Sequence, residues 1–178
     1  RAISKDTVLV SIMHVNNEMG AIQDIESIGK LIKENSTRAR FHVDAVQSYG
    51  KLNIDVKKMN IDMLTVAGHK IHGPKGVGFT FVKKGIVLNP LISGGSQESG
   101  IRGGTHNVPG IIGLHKAAEI TMENINSNFE YVSILKEYMI DKLGEINNIR
   151  INSPARADFS PYILNVSFIG VRAEVLLH

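Results

Sequence analysis

"IDMLTVAGHKIHGPKGVGFTFVKK", residues Ile61–Lys84, is the stretch on which the fold turns. "IDMLTVAG" is a short apolar run and predicts a buried strand that ends just before Lys70. "GVGFTFVKK" predicts another strand, and the Gly73-Pro74 pair between them is turn chemistry. His69 and Lys70 stand at the junction. A surface lysine needs no such setting. A lysine that must meet an aldehyde, with a phosphate nearby, does.

Working outward, the same alternation continues. "TVLVSIMHV" (Thr7–Val15) is rich in β-branched residues and predicts a buried strand. "IESIGKLIKEN" follows, with Ile25, Ile28 and Ile32 on one helical face. "RFHVDA" predicts a short strand ending near Asp44. Strands alternating with helices imply an α/β layer with a largely parallel sheet. Residues 92–107, "ISGGSQESGIRGGTHN", carry five glycines and predict a loop. After Pro109 the chain turns helical, with Ile111, Leu114 and Ala118 on one face. Val132, Leu135, Met139 and Leu143 repeat at helical spacing, which predicts core contact. "PYILNVSF" predicts a further strand, and a composition shift over Met122–Asn128 marks a boundary into a second unit.

Composition narrows the function. The 178 residues are 43% hydrophobic and 21% charged, which is ordinary globular composition. The net charge of +3 is scattered, and the pairs Lys57-Lys58 and Lys83-Lys84 lack the aromatic interleaving of a nucleic-acid surface. No apolar run has the length of a membrane span and "RAISKDTVLV" is not a secretory signal, so a cytoplasmic location without membrane contact is expected. Cysteine is absent, which excludes disulfides, thiolate metal ligands and a thiol nucleophile within this stretch. The start lacks a methionine and "EVLLH" stops in mid-pattern, so the chain reads as part of a longer protein.

Four polar clusters fall just past predicted strand ends, where open α/β sheets bind ligands. They are Asn16-Asn17, Asp44 with Gln47, His69-Lys70, and the glycine-rich loop ending at Thr105. Singly, each has another reading. Asn16-Asn17 can be a capped turn, and Asp44 a helix N-cap. His42 and His72 read as structural or exposed. A zinc site built from His14, His42, His69 and His72 lacks a recognisable metal spacing, so no metal is expected. Together the residue types answer one chemical problem. A lysine amine condenses with a carbonyl. An aspartate holds a pyridine nitrogen protonated. The amides of Gln47 or Asn17 can bond a ring hydroxyl without adding charge, and Thr105, His69 and glycine-rich backbone can donate to a phosphate. These are the needs of pyridoxal 5′-phosphate.

"HVNNEMGAIQDI", "HVDAVQSYGK", "AGHKIHGPKGVG" and "GGSQESGIRGGTHN" resemble the NifS/IscS-type cysteine desulfurases of the class V aminotransferase group. The resemblance runs nearly end to end. "GHK" with "GPKG" is shared across class V, while the "GGSQESGIRGGT" loop points to desulfurases. It implies a fold-type I PLP-dependent transferase, with residues 1–122 in the large cofactor domain and 123–178 opening a smaller α+β domain. It also implies that Lys70 carries the cofactor and moves the substrate's α-proton. Asp44 would pair with the pyridine nitrogen, Gln47 and Asn17 would contact the ring oxygen and the substrate side, and His69 would contact the phosphate. Thr105 would reach the phosphate of the other subunit of a homodimer. L-cysteine would be the substrate, and an iron–sulfur scaffold or another acceptor protein would take the sulfur from an enzyme persulfide. The family's nucleophilic cysteine falls beyond His178, so this stretch alone is expected to be inactive. Ala67, Ser99 and Gly103 stand where the family commonly has serine, arginine and serine. Another class V activity, aminotransferase or selenocysteine lyase, and a non-catalytic scaffold on the same frame remain open at this point.

Overall fold

The computed structural model describes residues 2–178. Its sheet has the order β1 (Leu9–Met13), β2 (Arg40–Asp44), β3 (Met63–Ala67), β4 (Gly78–Val82). The first three strands are parallel and β4 runs antiparallel to β3. The mostly parallel reading therefore stands, with one antiparallel edge that the short Gly-Pro connection after Lys70 makes possible.

Helix α1 spans Ile25–Asn35, as its periodicity predicts. Asp24 caps it by accepting from the Ser27 amide at 3.0 Å. Ile25 and Ile32 are each 1% exposed and pack on the sheet face formed by Phe41, Val43, Leu64 and Val66. Gly29 lies on the same helical face, where a Cβ would collide with the Met59 carbonyl. The opposite sheet face carries Ser11, His42, Asp44 and Thr65 and is less covered. There His42 bonds Ser11 Oγ through Nδ1 at 2.7 Å and Thr65 Oγ1 through Nε2 at 2.8 Å. His42 is structural, as expected.

The β2–β3 junction is locked by a buried carboxylate. Asp62 is 1% exposed. Its Oδ2 accepts from the Phe41 amide at 3.0 Å and from Lys33 Nζ of α1 at 2.9 Å, and Lys83 Nζ lies 3.5 Å from Oδ1. Its backbone donates to Phe41 O and accepts from Lys83 N, both at 2.9 Å. One residue thus ties together α1, β2, β3 and the end of β4.

Helices α2 (Val108–Glu123) and α3 (Ile125–Gly144) meet at Asn124, inside the predicted boundary region. Leu114 of α2 is buried, whereas Ile111 is 43% exposed. The core face predicted for α3 needs correction. Leu143 is buried, but Leu135 and Met139 are 46% and 49% exposed. The covered stripe runs instead through Ile125 and Lys136, which is 5% exposed. A lysine can take that place because its ammonium donates to the Ser160 carbonyl at 2.9 Å while its methylenes pack. Burial lowers its pKa. Strands β5 (Ile149–Ile151) and β6 (Val166–Phe168) pair antiparallel, and a short helix, α4 (Ala173–Leu177), follows. Among the described residues, no helix is long and apolar enough to cross a membrane.

Asp62 yields a stability prediction. Burial by itself raises a carboxyl pKa, but the Phe41 amide and Lys33 outweigh it here and hold the group below 3.8. A lowered folded-state pKa stabilises above the unfolded value, and that stability is lost as pH falls through the folded value. Asp62→Ala is expected to cost about 2–4 kcal/mol near neutral pH, because it orphans the Phe41 amide and separates two lysines from their partner. Urea denaturation measures this, and the gap to the parent chain should narrow below pH 3.8.

Candidate functional site at the carboxyl ends of the parallel strands

The register puts Met13, Asp44 and Thr65 in one row across β1, β2 and β3. Just past that row each strand breaks into a different turn, and the predicted polar residues lie in these turns. Asp44 is half-buried. Its Oδ1 accepts from the Val46 amide at 2.9 Å, closing an Asx turn. Its backbone carbonyl accepts from the His14 amide at 2.9 Å. The other carboxylate oxygen has no protein donor among the described residues. Gln47 follows in the same turn, half-buried, with an uncommitted amide.

The asparagine pair divides its labour. Asn16 builds the turn, its Oδ1 accepting from the Glu18 amide at 3.0 Å and the Met19 amide at 2.7 Å. Asn17 is exposed, and its side chain makes no hydrogen bond among the described residues. The capped turn and an uncommitted exposed amide are therefore both present, on adjacent residues.

β3 runs into a 3₁₀ turn over Gly68–Ile71 that carries His69 and Lys70. Gly68 is buried beneath Leu114 of α2, and a Cβ there would stand a tight 3.0 Å from the Val77 carbonyl oxygen. His72 ends the turn in the left-handed region at φ 65°. Lys70 is half-buried and has no carboxylate partner among the described residues. His69 is exposed. Ala67, at the end of β3, offers no hydroxyl.

Thr105 lies in the glycine-rich loop, exposed and without a hydrogen bond among the described residues. The loop closes on itself through Gly103 N donating to Ile92 O at 2.9 Å, and Gln97 Oε1 accepts from Gly104 N at 3.1 Å. Gly103 packs so closely on this crossing that a Cβ would come within 3.0 Å of Gly95 N. Ser99 and Glu98 both have left-handed backbone, at φ 57° and 49°. A groove of about 680 Å³ runs between this loop and the β3–β4 hairpin, lined by Thr65, Thr80, Glu98, Arg102 and Leu114. It adjoins the strand ends but contains neither Asp44 nor Lys70.

Lys51 escapes a reading of the sequence, and His14 is weighed there only as a metal ligand. Lys51 follows the left-handed Gly50, and its Nζ sits 5.3 Å from the centroid of the Tyr162 ring. Burial first, and the Lys70 charge second, lower its pKa. His14 is 5% exposed with Nδ1 buried and unpartnered, and burial lowers its pKa, which favours the neutral imidazole. A lysine after Gly50 could have been noticed, but nothing local says that it lies near Lys70.

The donor set suits a protonated pyridine ring bearing a carbonyl and a phosphate. One carboxylate oxygen, two uncommitted amides and an unpaired amine lie just past the ends of adjoining strands, and no described side chain occupies their bonding capacity. The family model for class-V aminotransferases matches residues 1–178. The chain belongs to that family. Among class-V relatives, it is 46% identical to a cysteine desulfurase IscS of Clostridium botulinum, over 99% of this chain and 44% of the relative. It is 47% identical to a mitosomal cysteine desulfurase of Trachipleistophora hominis, over 99% of this chain and 41% of the relative. A solved NifS-like protein superposes with a TM-score of 0.94 at 39% identity, over 98% of this chain and 47% of the other. SspA in complex with cysteine superposes at 0.77 with 41% identity, over 94% and 45%. The chain spans less than half the length of these relatives. Fold-type I architecture follows from the superpositions.

The division between the asparagines gives a prediction. Asn16→Ala removes two bonds that close the turn and is expected to cost about 1–2 kcal/mol in thermal or urea denaturation. Asn17→Ala removes none and should leave stability within about 0.5 kcal/mol of the parent.

Proposed function

We propose that the intact protein is a pyridoxal-phosphate-dependent cysteine desulfurase. It converts L-cysteine to L-alanine and leaves the sulfur as a persulfide on an enzyme thiol, for transfer to an iron–sulfur scaffold or another acceptor protein. The observation that carries this reading is the placement of Asp44 at the end of β2 and of Lys70 in the turn just past the neighbouring parallel strand β3, each with unsatisfied bonding capacity among the described residues. The cysteine desulfurases among its relatives suggest the substrate, and the cysteine-bound neighbour agrees with it.

Each residue has a chemical task. The uncommitted oxygen of Asp44 holds the proton on the pyridine nitrogen, and its other oxygen, bound to the Val46 amide, fixes the carboxylate's direction. Gln47 and Asn17 orient the ring oxygen and the substrate through neutral amides. His69 and Thr105 donate to the phosphate. Lys70 Nζ would hold the cofactor through its carbonyl carbon and would move the proton at the substrate's α-carbon. The bound cofactor supplies an electron sink for the pair left at that carbon. The chain has no cysteine, so the thiol that takes the sulfur lies outside these residues. We assign residues 1–122 to the cofactor domain and 123–178 to the start of the smaller one, with the break at Asn124 as support.

Borohydride reduction of the cofactor-loaded intact protein, followed by peptide mapping, is expected to label Lys70. Label at Lys51 or Lys75, or none, would overturn the assignment. Lys70→Arg should abolish turnover. Asp44→Asn, which keeps shape but loses charge, should slow α-proton exchange by on the order of a hundredfold or more.

The intact protein is further proposed to be a homodimer in which Thr105 completes the partner's phosphate site. Its exposed, uncommitted hydroxyl and the missing hydroxyl at Ala67 both support this. A mixed dimer of one Lys70→Ala subunit and one Thr105→Ala subunit tests it. The single site that keeps Lys70 should hold cofactor normally if Thr105 acts across the interface. If Thr105 acts within its own subunit, retention should fall by roughly tenfold to a hundredfold, the worth of a hydrogen bond to a charged group.

A further inference from the structure

The segment from Asn152 to Asn165 leaves β5, crosses the molecule and returns to β6. On the way it lies on the turn that carries Asn17. Ser153 Oγ donates to Met19 O at 2.6 Å, Asn165 Nδ2 donates to Glu18 O at 3.3 Å, and Ser160 N donates to Gly20 O at 2.7 Å. Every carbonyl from Glu18 to Gly20 is thus bonded by this arm, while Asn16 bonds the amides of Glu18 and Met19 from the other side. Gly20 has φ 77°, and a Cβ there would stand 3.0 Å from Ile163 Cβ, so the arm is in direct contact with the turn. Asn17 is the residue in the middle whose amide neither side uses.

The arm is itself rigidly held. Ser153 is 0% exposed, and its hydroxyl also accepts from the Asn165 amide at 2.9 Å. Asn165 Oδ1 accepts from Asn152 Nδ2 at 2.8 Å. Ser160 is 1% exposed, and its carbonyl takes the buried Lys136 ammonium of α3. This is more order than an exposed five-residue turn keeps unaided, since each immobilised residue loses conformational entropy. A side chain that must meet a ligand has to be held within a fraction of an ångström.

We propose that Ser153 and Asn165 are positioning residues, which act on the reaction by clamping the turn that presents Asn17. The inference rests on the reading of Asn17 as a ligand-facing amide. It also couples the second unit to the site: displacement of α3 or of the β5–β6 pair is transmitted to Asn17 through the arm.

The test uses the intact, cofactor-loaded protein. Asn165→Asp is isosteric, keeps the acceptor for Asn152 and removes the donor to Glu18. Ser153→Ala removes the hydroxyl, and if it fails to fold, Asn165→Asp carries the test. Hydrogen exchange at the Glu18 and Met19 amides should accelerate by about tenfold, and kcat/KM for L-cysteine should fall by a similar factor. In an Asn17→Ala background, the same substitutions should still speed exchange but cause no further loss of kcat/KM. Equal losses in both backgrounds, or unchanged exchange, would overturn the clamp. A single Asn17→Ala variant with full kcat/KM would show instead that Asn17 is not a ligand, and the positioning role would fall with it.

Discussion

The register between β2 and β3 is the constraint on which the site depends, and the Asp62 carboxylate sets it. Asp62 precedes β3 by one residue and exchanges bonds with Phe41 through both backbone and side chain. With that point pinned, Asp44 falls opposite Thr65, and Lys70 follows one 3₁₀ turn later. A slip by one residue would move every side chain to the other face. Asp44 would then point into the aliphatic core, where an unpaired carboxylate cannot be kept. The register is held twice over, because Lys33 of α1 shares the same carboxylate and fastens the helix to the edge it guards.

From that register follows a sheet with two chemistries. One face is aliphatic and packs under α1, while the other carries Ser11, His42, Asp44 and Thr65. The parallel strands bring their carboxyl ends to one edge, and the three turns there leave different groups free. An Asx turn commits one oxygen of Asp44 and spares the other. A second Asx turn commits Asn16 and spares Asn17. A 3₁₀ turn exposes His69 and half-buries Lys70 beside the cation of Lys51. Backbone amides fix the side chains of Asp44 and Asn16, and the free groups are the ones these turns leave over.

Much of this was legible in advance. Apolar runs marked all four main strands, and Ile25, Ile28 and Ile32 marked α1 with its observed limits. Asn17, Asp44, Gln47 and Lys70 could be picked out because each follows a strand, where a polar residue has no core to satisfy. The face of α3 was not legible. Leu135 and Met139 carry the stronger apolar signal, yet Lys136 is the buried residue. Periodicity counts apolar groups, and it has no access to a carbonyl on a distant segment that can accept from an ammonium. Likewise, which of Asn16 and Asn17 closes the turn depends on local dihedral angles that composition does not record.

By itself, then, the sequence determined the element order, the α/β class and the polar residues that follow the strand ends, because those rest on patterns within a few residues of each other. The tertiary structure decided how those residues are held. Met19 and Ser153 are 134 positions apart, Lys136 and Ser160 are 24 apart, and Phe41 and Asp62 are 21 apart. Each of these bonds joins a side chain to a backbone group that any residue could supply. Such a partner leaves no mark in the sequence, and only the folded chain, which must satisfy each buried polar group, selects it.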